Sequence, residues 1–309
     1  MKGAQSPASP AHPVIGQPVL QKTIDFLICP DNLANMTSFT NFLFVPGNRV
    51  DRIEKALACD ADLVCIDLED SVPSGEKDAT RVSAIEAIER FASRRLALRI
   101  NALTTRAGLA DLLALTAAPV KPALLFLPMV QSAAEPEQVT AILGDETPGL
   151  IPLVETVRGL RNADSIGAAP DVCAMMFGGG DFSAELGVKL EWAPLLAARS
   201  ALVMSCAINR IPAIDVPFID LADEAGLEAE TRAAKALGFT AKAAIHPRQI
   251  DAIATVMRPG EAEISESREA IAAFEAAGGR AIAFRGRMLE EPVMHRYRCI
   301  LQAADIRSE

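Results

Sequence analysis

From Phe42 onward, short apolar runs alternate with amphipathic stretches, a rhythm that predicts strands separated by helices. The strands are expected over residues 42–46, 62–68, 96–101, 123–129, 150–155, 172–177, 213–217 and 241–245. Helices are expected over 49–59, 76–93, 108–117 and 135–143, after Glu155 through Ala168, near 192–209, and over 224–237 and 249–257. The strands are near-continuous apolar runs such as Leu124-Leu125-Phe126-Leu127, the pattern of a parallel sheet buried on both faces. Eight strand–helix units in roughly 215 residues fit a TIM (β/α)8 barrel. An open doubly wound sheet is the runner-up. No G-x-G-x-x-G follows the first strand, and Gly178-Gly179-Gly180 lacks that spacing. A C-terminal extension follows, helical with a hairpin-like centre: a helix over 263–277, a short run at 281–284, an Arg285-Gly286-Arg287 turn and a helix over 293–304. It is too short to be stable alone and must pack on its own barrel or on a neighbouring subunit. The domain reading is a flexible lead-in over 1–40, a barrel over 41–260 and an extension over 261–309.

Composition narrows the partners. Half of the 309 residues (50%) are hydrophobic, which excludes a disordered chain. Lys plus Arg total 30 against 40 Asp plus Glu, a net charge of −10, so nucleic acid is not an expected partner. The six Cys form no C-x-x-C pair and read as free thiols in a reducing compartment. The Pro-rich start lacks a signal-peptide core, and no apolar run approaches the ~18 residues of a membrane span. A cytoplasmic protein without membrane contact is expected. An acidic protein that handles an anion needs a local cation, either an Arg or a metal.

Barrel chemistry sits at the C-terminal ends of the strands. Strand 2 ends in Asp67-Leu68-Glu69-Asp70, strand 3 in Arg99-Ile100-Asn101, strand 5 in Glu155, and strand 6 leads through three Gly to Asp181. Strand 7 carries Asp215 and strand 8 ends in His246-Pro247, so six carboxylates are expected to converge on one rim. Glu155 and Asp181 lie 26 residues apart, one repeat, and so would come from adjacent strands. Two carboxylates that close require a proton or a cation between them, and an oxygen-only pair suits Mg²⁺. Helix capping by both is the competing reading. The Arg99 guanidinium could grip a substrate carboxylate in bidentate fashion, or form an internal ion pair. Asp67, Glu69 and Asp70 read either as groups orienting metal-bound water or as an acidic helix start, with Lys77 and Arg81 as neutralising neighbours. His246 reads as a base or as a packed, hydrogen-bonded His.

Seven motifs in order then resemble the citrate lyase β-subunit-like proteins of the HpcH/HpaI aldolase superfamily. They are Leu43-Phe44-Val45-Pro46-Gly47, Asp67-Leu68-Glu69-Asp70-Ser71-Val72, Arg99-Ile100-Asn101-Ala102, Glu155-Thr156-x-x-Gly159, Gly178-x-x-Asp181-Phe182, Pro212-Ala213-Ile214-Asp215 and Ile245-His246-Pro247-x-Gln249. The resemblance implies Mg²⁺ held by Glu155 and Asp181. It also implies a 2-oxo acid bound at Arg99, Glu155 and Gly180, with Arg99, Glu155 and Glu290 catalytic. It implies reversible cleavage of a malyl-, citramalyl- or citryl-type thioester of coenzyme A or acyl carrier protein, in a homotrimer or hexamer. A free-acid aldolase of the same superfamily and a catalytically silent oxo-acid-binding barrel are the alternatives. The chain departs from the pattern at Thr40, where an Arg is usual nearby, at Met129 in place of Lys, and at Glu290 in place of Asp.

Overall fold

The computed structural model describes residues 39–93 and 95–305; the expected tail and Cys29 lie outside them. Strands β1 (Asn41–Pro46), β2 (Leu63–Asp67), β3 (Leu96–Arg99), β4 (Leu124–Leu127), β5 (Gly149–Val154), β6 (Met175–Phe177), β7 (Ala213–Asp215) and β8 (Ala241–Ala244) close into one barrel. Every neighbouring pair is parallel, and β8 returns to β1 through the register Phe42↔Ala243. The expected TIM barrel is the observed fold.

The strands read as continuous apolar runs because both faces are covered. Alternate residues feed two separate cores. Phe42, Cys65, Ala97, Phe126, Ile151, Met176, Ile214 and Ala243 fill the barrel interior. Their neighbours Leu43, Val64, Ile66, Leu98, Leu125 and Val154 face the helices. Inside, the Phe42 and Phe126 rings lie 5.0 Å apart, while Ala97, Ala241 and Ala243 make room for them. Phe126→Ala would cost ~3–5 kcal/mol through the void it leaves.

The barrel helices are α1 (Val50–Leu57), α2 (Lys77–Phe91), α3 (Arg106–Ala117), α4 (Ala134–Leu143), α5 (Val157–Arg161), α6 (Ala163–Gly167), α7 (Gly179–Leu186), α8 (Trp192–Asn209), α9 (Glu224–Leu237) and α10 (Gln249–Met257). The helix expected after Glu155 is two short pieces that meet at Asn162, and α7 was not expected at all. Three capping side chains fix helix starts. Thr105 Oγ1 accepts from Gly108 N at 3.0 Å, Thr156 Oγ1 from Gly159 N at 3.0 Å, and Asp223 Oδ1 from Gly226 N at 2.8 Å. At the opposite, N-terminal end of the barrel, Thr40 donates from its backbone N (2.8 Å) and its hydroxyl (2.7 Å) to Asp62 Oδ2.

The extension comprises α11 (Glu261–Ala276), a hairpin of β9 (Ile282–Phe284) and β10 (Arg287–Leu289), and α12 (Glu291–Asp305). Its turn residues Arg285 (φ 48°) and Gly286 (φ 77°) are both left-handed, as a tight two-residue hairpin requires. Ala270, Phe274, Leu289, Met294 and Tyr297 form a small core of its own, separate from both barrel cores.

Candidate active site

The two-residue period of the strands decides which polar side chains reach the barrel mouth. Cys65 points inward on β2, so Asp67 does too. Ala97 does so on β3, which sends Arg99 inward, and Leu153 on β5, which sends Glu155 inward. Together with the turns beyond the strands they line a cavity of about 400 Å³ at the C-terminal end of the barrel. Asp67, Asp70, Glu155 and Asp181 are its carboxylates, and Arg99 is the lone Lys or Arg among the described lining residues.

Arg99 is buried and already gripped. Its Nε donates to Asp67 Oδ1 at 2.7 Å and its Nη2 to Asp67 Oδ2 at 2.8 Å, a fork-to-fork pair. Nη1 turns toward Asp70 Oδ2 at 3.3 Å and Glu69 Oε2 at 2.8 Å, the latter without hydrogen-bond geometry. Its guanidinium carbon sits 4.8 Å from the centre of the Phe44 ring. The internal ion pair thus exists, and Arg99 still lines the cavity. Asp67 is itself pinned by the backbone N–H groups of Glu69 (2.9 Å) and Ser71 (3.1 Å).

Glu155 directly follows β5 and is buried. Its Oε2 accepts from Met129 N at 2.6 Å. Met129 holds φ at 56°, a left-handed conformation costly for a side-chain-bearing residue. Across the strand boundary, a Cβ on Gly178 would collide with the Glu155 carboxyl. Asp181 stands in the first turn of α7, which opens on the Gly178–Gly180 run. The glycines thus have a steric role: they let the β6–α7 backbone lie against Glu155.

Charge at this mouth is out of balance. Burial, reinforced by Asp181 and Asp70, pushes the Glu155 carboxyl up to about 7, although the Met129 N–H and Arg99 oppose it. Burial with Glu155, Asp70 and Asp67 nearby pushes Glu69 to about 8. Asp181 is raised by burial and by Asp70. Burial would raise Asp67 as well, but Arg99 holds it below the usual carboxylate range. Glu69 Oε2 is buried without a hydrogen-bond donor. Excess carboxylate and all-oxygen donors at the cavity fit a hard divalent cation. No group of three His, Cys, Asp or Glu among the described residues makes a ready metal cage. Two carboxylates completed by water and substrate oxygens are how Mg²⁺ is ordinarily held.

Other expectations resolve differently. Asp215 does not join the rim. Because Ile214 points inward, Asp215 faces the helices, where Arg199 Nε (2.9 Å) and Lys242 Nζ (2.7 Å) bind it. Lys242 also donates to Glu230 Oε1 at 2.8 Å. Arg81 pairs with Asp111 Oδ1 at 2.6 Å instead of the strand-2 acids, and Asn101 Nδ2 donates to the other Asp111 oxygen at 2.7 Å. Lys77 donates to the carbonyls of Leu68 (2.8 Å) and Glu69 (2.6 Å), behind the cluster. His246 Nδ1 accepts from Arg248 N at 3.2 Å and lies outside the cavity. Glu290 is exposed at the start of α12 and does not line its own chain's cavity. The Met129 amide escaped sequence reading because backbone N–H groups leave no sequence signal. Arg199 and Lys242 had one: charges within apolar runs.

The model of the HpcH/HpaI aldolase/citrate lyase family matches residues 41–247. A mouse protein named mitochondrial citramalyl-CoA lyase is 31% identical over 85% of this chain and 85% of its own. The citrate lyase subunit beta of Leuconostoc mesenteroides is 30% identical over 85% of this chain and 92% of its own. Among solved structures, CitE of Mycobacterium tuberculosis in complex with magnesium, acetoacetate and coenzyme A is 31% identical. It covers 87% of this chain and 99% of that one, with a TM-score of 0.74. The chain belongs to the HpcH/HpaI aldolase/citrate lyase family.

Proposed function

From membership of the HpcH/HpaI aldolase/citrate lyase family, we propose that this protein is a Mg²⁺-dependent carbon–carbon lyase. It acts on a 3-hydroxy-acyl thioester of the malyl, citramalyl or citryl type, with coenzyme A as the carrier. The observation that carries the reading is the convergence of Glu155, Asp181 and Arg99 on one barrel-mouth cavity with carboxylates in excess. Glu155 and Asp181 would hold the cation, which supplies Lewis-acid polarisation of substrate oxygens. Arg99, held by Asp67, would take the carboxylate of the 2-oxo acid fragment on Nη1, in place of its long contact to exposed Asp70. The Met129 amide fixes one Glu155 oxygen and so leaves the other to face the cavity. Gly180 lines the cavity without a side chain and lets substrate approach the backbone.

Cleavage breaks the bond between the carbinol carbon and the α-carbon of the thioester. The hydroxyl proton passes to a carboxylate at the cavity mouth, the carbinol becomes the oxo group, and the electron pair settles on the α-carbon, which then takes a proton. No histidine lines the cavity among the described residues, and the α-carbon proton is assigned to a carboxylate. Glu290 of a neighbouring copy, in a homotrimer or hexamer, is assigned that role. Its exposure, and the exposure of Met288 beside it, support the assignment. Light scattering after gel filtration should then give three or six chains per particle, and a monomer would remove this role.

The test is release of a 2-oxo acid from malyl-, citramalyl- and citryl-CoA by the purified protein. Turnover with Mg²⁺ that stops on chelation is expected. Silence across all three thioesters would sink the lyase reading.

A further inference from the structure

The cavity has two unlike halves, and strand order separates them. Acids and Arg99 come from β2, β3, β5 and the β6–α7 turn. The arc formed by β7, β8 and β1 contributes Val216, Pro217, Ile219, Ile245, Phe44 and Pro46, with no polar side chain among them. Cations do exist behind this arc. Lys242 on β8 and Arg199 on α8 are 0% exposed and committed to Asp215, on the outward face of the wall. The interior neighbours of Lys242 are Ala241 and Ala243, so the strand period keeps its ammonium out of the cavity.

We infer that the 2-oxo acid handled here is a monoanion whose second substituent is apolar. This is the pyruvate class released from a citramalyl-type thioester, not the oxaloacetate class released from a citryl-type one. The inference rests on the lyase reading of the same cavity. With the shared carboxylate on Arg99, the remaining branch of the acid meets the apolar arc. A methyl group is welcome there, because burying it removes apolar surface from water. On the β7–β8 side of the arc a second carboxylate meets no cation and no donor side chain, so the water it sheds there is not replaced. A hydrogen in place of the methyl, as in a malyl thioester, forfeits only one methyl contact. Such a loss is worth roughly tenfold in selectivity, whereas unpaired polar groups cost far more.

Two measurements on the full chain with Mg²⁺ test this. First, kcat/KM is compared for citramalyl-, citryl- and malyl-CoA. Citramalyl-CoA should exceed citryl-CoA by about 100-fold or more, and malyl-CoA by about tenfold. Second, pyruvate and oxaloacetate are titrated by calorimetry, which reads selectivity without turnover; pyruvate should bind at least about tenfold more tightly. Ile245→Lys, which puts a cation on the arc, should narrow or reverse that preference, with its melting temperature checked alongside. A citramalyl-to-citryl ratio below about tenfold, or equal binding of the two oxo acids, overturns the inference and leaves the lyase reading intact. That result would fit an arc that serves the pantetheine arm of the carrier. No turnover of any thioester, with the pyruvate preference retained, removes the lyase reading and supports the selectivity.

Discussion

Two clusters of charge sit less than a barrel wall apart and behave in opposite ways. Behind β7 and β8, Arg199 and Lys242 meet Asp215 and Glu230, two cations for two acids, and Arg199, Lys242 and Asp215 are 0% exposed. At the mouth, Arg99 alone faces Asp67, Glu69, Asp70, Glu155 and Asp181. Burial alone would raise Asp215, yet Lys242 and Arg199 hold it below the ordinary carboxylate range. Burial raises Glu155 to about 7, and the Met129 N–H and Arg99 offset only part of the rise. Acids in the sealed cluster are satisfied by the protein itself. At the mouth Asp67 is satisfied by Arg99, whereas Glu155 and Asp181 have no cation paired with them among the described residues. Charge balance separates a structural network from a ligand site where residue type does not.

The largest expected effect is at the mouth. Arg99→Ala and Glu155→Ala should each lower kcat/KM by at least ~10³-fold, because one removes the proposed oxo-acid anchor and the other a proposed cation ligand. Steady-state kinetics on the best thioester checks this. Gly178→Ala comes next. Its new methyl would push into the Glu155 carboxyl. Titration should show Mg²⁺ affinity weakened ~10–100-fold, the range for disturbing a ligand's support, with a stability loss of ~1–3 kcal/mol from overpacking.

Arg99→Ala also unpairs buried Asp67 and so costs stability as well, whereas the sealed cluster should answer in stability with kcat spared. Lys242→Met leaves Asp215 with Arg199 alone, and removing one partner of a buried pair costs ~3–5 kcal/mol. Chemical denaturation reads that loss, and kcat of the remaining folded protein should stay within a few-fold. A comparable kcat collapse in this variant would erase the distinction between the clusters.

The smallest effects are in pH, and they carry opposite signs. Asp215 and Asp67 are held below their unfolded values, so the stability they lend is present above about pH 4 and is lost as pH falls through their folded values. Glu155, raised to about 7, is protonated in the cation-free protein below that pH. A cation must displace that proton, so Mg²⁺ affinity should rise with pH through about 7 and binding should release protons. Calorimetry in two buffers of different ionisation enthalpy measures the release.

The barrel was legible because continuous apolar runs at regular spacing have few other uses. The helices over 224–237 and 249–257 agree with the structure at both ends. The same continuity hid the side-chain parity. Asp67 and Asp215 both close an apolar run, but one follows the interior residue Cys65 by two and the other follows Ile214 by one. That single step sends Asp215 to the helices. No helix is expected between strand 6 and residue 192, so Asp181 reads as a strand-end residue or a helix cap, and the structure places it in the first turn of α7. Arg99, Glu155 and Asp181 were found by their strand-end positions, and the structure brings them to one cavity. Glu290 came from resemblance alone, and a single chain leaves it outside.

The account stands most directly on where the divalent cation binds. Calorimetric titration of Mg²⁺ into the wild type, Glu155→Gln, Asp181→Asn and Asp215→Asn isolates it. The account predicts one site per chain, lost in the two mouth variants and retained in folded Asp215→Asn. Unchanged binding in Glu155→Gln and Asp181→Asn would contradict it.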